Sequence, residues 1–220
     1  AGKACGLRER LGLGHVRSVM EEVFGPSMHA LRVTSLANGV AGTLNAAVVN
    51  IHAIGQAYAA VSEIDPRSGV KQVDRLLSND GLSLDVVFSR WVTYALGDRK
   101  DVVLIVDWTD FDDDDHTTLY VMVATGRGRA LPLVWRTIRK SESIGQKSKT
   151  ERELIEALQG WMPKDVEVVL LGDRGFGSQA LYEFLSLYGW DYVIRFRGDI
   201  LVESSGQRKK AKQWVPSSGR

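Results

Sequence analysis

The sequence predicts an α/β protein: a mixed sheet with crossover helices, preceded by a helical region. Three observations predict it. From about residue 16 to residue 96, apolar residues recur at three- and four-residue spacing, as in Val70, Val73, Leu76 and Leu77. After Gly97 that period gives way to short β-branched runs. Two of these runs, VVLIV and VEVVLLG, are apolar but for Glu167, and each leads into an aspartate.

The helical half reads as VRSVMEEVFG, an Ala-rich helix over 44–64, VKQVDRLLSN and LDVVFSRWVTYAL. Helix breakers fall between them at Gly25-Pro26, Asp65-Pro66 and Asn79-Asp80-Gly81, and Ser83 is placed to cap the helix from Leu84. Residues 102–106 form the first strand. Residues 118–125 and 130–137 form a hairpin about Gly126 and Gly128. A helix over 149–161, a strand over 166–171, a helix over 178–188 and a strand over 192–196 come next. The hairpin demands antiparallel pairs and the helical crossover a parallel one, so the sheet is mixed. Residues 1–97 are expected to form one region and 98–220 another. Trp91, Trp135, Trp161 and Trp190 sit in apolar patterns and are expected in the core.

Composition narrows the function classes. Apolar residues make up 44% and charged residues 25%, which a packed domain needs and a disordered chain lacks. The single cysteine, Cys5, excludes an intramolecular disulfide and a Cys-based zinc site, and fits a reducing, cytoplasmic setting. Residues 35–62 carry no charge, yet Asn38, Asn45, Asn50, His52 and Gln56 are spread through them, which argues against a membrane span. The opening AGKACGLRERLGLGH does not read as a secretory signal.

The net charge of +1 predicts no polyanionic partner, but its distribution is uneven. Six aspartates and no base lie between Asp107 and Asp115. Eight bases against two acids then lie between Arg127 and Arg152. An acidic loop beside a basic stretch is the charge pattern of a metal site next to a phosphate-binding surface, and also of a solvated charged face. Asp110 and Asp112 to Asp115 are expected to form a solvated loop.

Asp107 ends one apolar run and Asp173 ends the other, 66 residues later. If the two strands are neighbours, the carboxylates converge. They would then raise each other's pKa unless a cation neutralises them, and Mg²⁺ or Mn²⁺, which prefer oxygen ligands, are suited to that. The alternative is that each aspartate starts a turn and caps the next few residues.

The stretches DWTDF (107–111) and LLGDRGFGSQALYEFL (170–185) resemble the first and second acid motifs of the Asp-Asp-Glu transposases of bacterial insertion sequences, closest to the "insertion sequence four" type. GVKQVDRLLSN, RALPLVWRT and DYVIRFRG are similar to other segments of that group. The resemblance spans about residues 35–215. It implies a ribonuclease H-like catalytic core behind a helical DNA-binding region, with Asp107 and Asp173 as catalytic metal ligands for Mg²⁺ (or Mn²⁺). By the same resemblance Asp107 bridges two ions and Asp173 binds one. The implied partners are double-stranded DNA, as transposon ends and target, and a second copy of the chain in the DNA complex. The implied location is the bacterial cytoplasm, with the nucleoid.

The third ligand expected of that group is a Glu within Tyr-x2-Arg-x3-Glu-x6-Lys. Here Tyr192 and Arg195 match its start, but Asp199 stands at the Glu position and no Lys lies seven further on. The signature is absent, so a chain truncated before the third acid is expected. The alternative function is then a catalytically inactive module that binds DNA or the transposase, as an inhibitor or gene remnant.

For DNA contact, Arg174 stands directly after the second acid, and Arg136, Arg139, Lys140, Lys147 and Lys149 lie in the basic stretch, with Arg208, Lys209, Lys210 and Lys212 beyond it. The helices around 69–89 have helix-turn-helix spacing, with Lys71, Arg75 and Arg90 as charges.

Overall fold

The computed structural model describes residues 12–126 and 128–216. Cys5, Arg127 and the reading of the first residues lie outside the described residues. The chain divides into two compact units, Ala1–Tyr94 and Ala95–Arg220.

The first unit is helical: α1 (Leu13–Phe24), α2 (Ala30–Asn45), α3 (Ile51–Ser62), α4 (Pro66–Leu77) and α5 (Leu84–Leu96), the last reaching just past the unit boundary. The Ala-rich stretch expected as one helix is broken. α2 ends at Asn45, and α3 starts afresh at Asn50, whose side-chain oxygen accepts the Ala53 N–H at 2.8 Å. Composition alone could not place that break, because a capping Asn is also tolerated inside a helix. Residues 30–43, over which the sequence pattern delimits no individual helix, form most of α2. Asp65 caps α4 by accepting from the N–H groups of Arg67 and Ser68, and Pro66 occupies the first helical position, where a missing N–H costs nothing.

A buried polar link ties this unit together. Asn38 of α2 accepts from Arg17 of α1 at 3.3 Å and donates to Gln72 of α4 at 3.2 Å. α3 and α4 approach so closely that a Cβ on Gly69 would strike the carbonyl oxygen of Gly55 and lie 2.8 Å from the Ala59 Cβ. The obstacle is backbone, which cannot swing aside.

The second unit is built on a five-stranded sheet of order β3-β2-β1-β4-β5. Its strands are β1 (Asp101–Phe111), β2 (His116–Ala124), β3 (Ala130–Arg139), β4 (Glu167–Gly172) and β5 (Asp191–Ile194). Helix α6 (Lys147–Trp161) joins β3 to β4, and α7 (Gln179–Leu187) joins β4 to β5. β1, β2 and β3 are antiparallel; β1, β4 and β5 are parallel. Three antiparallel strands and then two parallel ones, with helical crossovers, make a ribonuclease H-like mixed sheet. A small hairpin comes after it, β6 (Leu201–Ser204) and β7 (Gln207–Lys210), which the sequence pattern did not announce.

Alternation along β1 sorts the two faces. Val102, Leu104 and Val106 are buried, as are Val168 and Leu170 beside them on β4. The helices lie on this face, for Trp108, next in the same alternation, bonds to Glu151 of α6. The other face carries Val103, Ile105, Val169 and Leu171 and is more open. Of the four tryptophans expected in the core, Trp190 is buried and Trp91 and Trp161 are half-buried, but Trp135 is 44% exposed. It sits on the edge strand β3, on the open side, where a strand-like pattern cannot tell which face is covered.

Replacing Gly69 by Ala is expected to destabilise the helical unit by about 1–3 kcal/mol through overpacking. Thermal unfolding of G69A checks this; an unchanged melting temperature would mean that the α3–α4 approach is looser than described.

Candidate active site

The strand over 102–106 proves longer than expected. β1 runs on to Phe111 because β2 pairs with it as far as His116. Asp107 is therefore not at a strand end. It stands where β1 loses its other neighbour: the parallel pairing with β4 closes at Val106–Gly172, and Asp107 and Asp173 are each the next residue. Residues in register on parallel strands point to the same side, so continuing that register by one residue carries both side chains to the open face, at the carboxyl end of the β1–β4 pairing. Both are exposed. In parallel α/β sheets this edge is where ligands bind.

The second acid is held by its own loop. Asp173 caps the short turn Arg174–Phe176, its Oδ1 accepting the Gly175 N–H at 2.7 Å, while Phe176 is buried beneath. A Cβ on Gly175 would lie 2.9 Å from that oxygen, so only glycine leaves the carboxylate where it is. The turn-capping alternative is thus realised for Asp173, yet it uses only one oxygen. A carboxylate has two, each with spare acceptor capacity.

The acidic segment behind Asp107 is more ordered than a solvated loop. Lys140, just after β3, forms ion pairs with Asp110 (2.9 Å) and with Asp112. Asp115 accepts from the Ser141 backbone N–H at 3.0 Å and from its Oγ at 2.6 Å, with its own backbone left-handed at φ 52°. Asp113 and Asp114 are exposed. Lys140 holds the Asp110 carboxyl below its usual range, and Ser141 does the same for Asp115. Asp112 and Asp110 in turn push the Lys140 ammonium upward.

The basic residues predicted to meet DNA divide into two groups. Arg136 is paired with Glu153 at 2.6 Å, Lys149 reaches the same carboxylate at 3.7 Å, and Lys140 is engaged as above. Lys147 lies 4.8 Å from the centre of the Trp108 ring. Arg139, at the end of β3, and Arg174, after Asp173, are exposed at the acid edge of the sheet. In the helical unit, Lys71 and Arg75 are exposed on α4, whereas the Arg90 Nε donates to the Val23 carbonyl and so serves the packing of that unit. On the later hairpin, Lys210 and Lys212 pair with Asp199, and Lys209 covers the Trp214 ring.

Residues 98–218 match the family described as the transposase DDE domain. That match covers more than half of the chain. The chain belongs to the transposase DDE domain family. No curated protein matches it. DDE-domain transposases as a family use divalent metal ions and act on DNA. The donor set at Asp107 and Asp173, two exposed carboxylates on one sheet edge, suits a hard divalent cation whose remaining positions are filled by water or phosphate oxygens. Among the described residues no group of three His, Cys, Asp or Glu side chains gathers to hold a metal. No helix among them is long and apolar enough to cross a membrane.

Sequence reasoning missed Glu151, Trp108 and Ser141. DWTDF displays Trp108, but nothing in the chain says that its partner lies 43 residues on.

Because its pKa is lowered in the fold, the stabilisation that Asp110 contributes is present above the ordinary value near 3.8 and is lost as pH falls through the lowered one. Lys140→Met is expected to raise the Asp110 titration midpoint toward 3.8, monitored by carboxyl-carbon NMR. A midpoint that stays put would remove Lys140 as its cause.

Proposed function

We propose that this chain carries two of the metal-binding acids of a transposase of the "insertion sequence four" type, Asp107 and Asp173, and that it works on the ends of a mobile DNA element. The observation that supports the reading is the β1–β4 register, whose last pair, Val106 and Gly172, stands one residue before each aspartate in a ribonuclease H-like sheet of a transposase DDE domain. A bound Mg²⁺ or Mn²⁺ supplies Lewis-acid charge at the scissile phosphodiester. Asp107 and Asp173 hold and orient that charge on the open face. Arg174 and Arg139, exposed at the same edge, draw in the phosphates on either side of it, positioning the backbone without reading its sequence. Lys140, Arg136 and Lys149 reach DNA by exchanging carboxylate partners for phosphates, a swap that keeps each charge paired. The helical region before the core is assigned to double-stranded DNA through Lys71 and Arg75, and a second copy joins in the DNA complex.

One observation favours a second reading: Asp107 and Asp173 have no third acid beside them among the described residues. On that reading the chain is a module that binds DNA or another transposase copy, as an inhibitor or gene remnant, and does not cut.

Mn²⁺ titration monitored by electron paramagnetic resonance tests the proposal. Asp107→Asn and Asp173→Asn should each weaken binding by at least about tenfold, the scale at which losing one charged ligand is felt. Unchanged binding in both variants would make the acids structural. Cleavage of end-containing duplex DNA with Mn²⁺ then separates the two readings, since the binding module leaves the duplex intact.

Arg139→Ala should weaken duplex binding about equally for all sequences and lower the salt slope by roughly one. A sequence-selective loss would assign Arg139 to base contact instead.

A further inference from the structure

The pairing with β4 ends at Val106, so beyond that point β1 has a strand on one side only, β2. Asp107 is the first residue of this half-supported stretch. Trp108, its neighbour, points to the opposite, helix-covered face. There its Nε1–H donates to the Glu151 Oε1 at 2.9 Å, and the Lys147 ammonium lies 4.8 Å from its ring centre. Lys147 and Glu151 are one turn apart on α6, so both come from the same stretch of helix. Glu151 is only 7% exposed, and burial pushes its carboxyl up despite the Trp108 bond and the nearby Lys147. Keeping a carboxylate in such a place is costly unless it is hydrogen-bonded and near an opposite charge, and the indole N–H and Lys147 supply both.

We propose that Glu151 and Lys147 grip the Trp108 indole as a positioning device that fixes β1 where its β4 support ends, and so holds the Asp107 carboxylate in register with Asp173. The inference rests on the reading of Asp107 and Asp173 as metal ligands. Trp108 and Glu151 touch neither metal nor DNA in it; they act through the backbone of β1. The indole N–H gives the grip its direction. A phenyl ring, smaller and without that donor, leaves the Glu151 carboxylate without its indole partner and the strand free to shift.

The test measures Mn²⁺ affinity by electron paramagnetic resonance, well below the melting temperature, with melting in EDTA recorded in parallel. Trp108→Phe and Glu151→Leu are each expected to weaken Mn²⁺ binding about tenfold, the usual cost of losing a group that orients a ligand. Glu151→Gln keeps an acceptor for the indole and is expected to bind within about twofold of the unaltered chain, on the same basis. Leu185→Ala, a cavity in the core at the far end of α7, lowers the melting temperature and leaves the affinity alone. If Trp108→Phe and Glu151→Leu bind Mn²⁺ normally while Asp107→Asn does not, the positioning role is overturned and the two-acid site stands. If the affinity losses merely track the melting temperatures, with Leu185→Ala losing as much, the contact is structural and the inference falls. If Asp107→Asn and Asp173→Asn change nothing, the metal reading falls and takes the inference with it.

Discussion

The parallel pairing of β1 with β4 is the constraint on which the rest of the second unit depends. Its register puts Val102 against Val168 and Leu104 against Leu170, and these residues line the buried face. A slip of one residue would turn every one of them outward, so the hydrophobic effect fixes the register. The same register carries Asp107 and Asp173 to matching places on the open face. The core that α6 and α7 cover thus determines, two residues after Ile105 and Leu171, where two charges stand.

Around that pair, charge is arranged in balanced groups. The acidic segment after Asp107 is met by Lys140 and Ser141, and Arg136 of β3 and Lys149 of α6 are met by Glu153. On the proposed reading, such a surface offers cations to a phosphate backbone, whose charge displaces their carboxylates. It also explains why the six-aspartate run neither repels itself apart nor acts as an isolated cation loop: three of its members are tied to residues just beyond β3.

The fold was legible where apolar periodicity ran unbroken. The two apolar runs that lead into acids, the hairpin between them and the helices of the second unit could all be read from spacing. The break between α2 and α3 could not, because Asn50 caps only if the chain turns there, and the turn depends on packing. The β6–β7 hairpin was hidden for a different reason: its strands are four residues each and largely polar, too short to show alternation. Trp135 was misplaced because edge and central strands share one pattern and differ only in what covers them.

For the candidate site, residue order alone gave the groups on offer: two aspartates, each at the close of an apolar run, a glycine two residues after the second, and bases in the stretch between. Those are properties of residue type and local spacing. Tertiary structure was needed to show that β1 outlasts its pairing with β4 and that Lys140 belongs to Asp110 and Asp112. It was needed again to anchor the indole beside Asp107 to Glu151 on α6. These side-chain contacts join residues 28 to 43 positions apart. Contacts at that distance depend on which strands are neighbours and which face a helix covers, and no local periodicity encodes either.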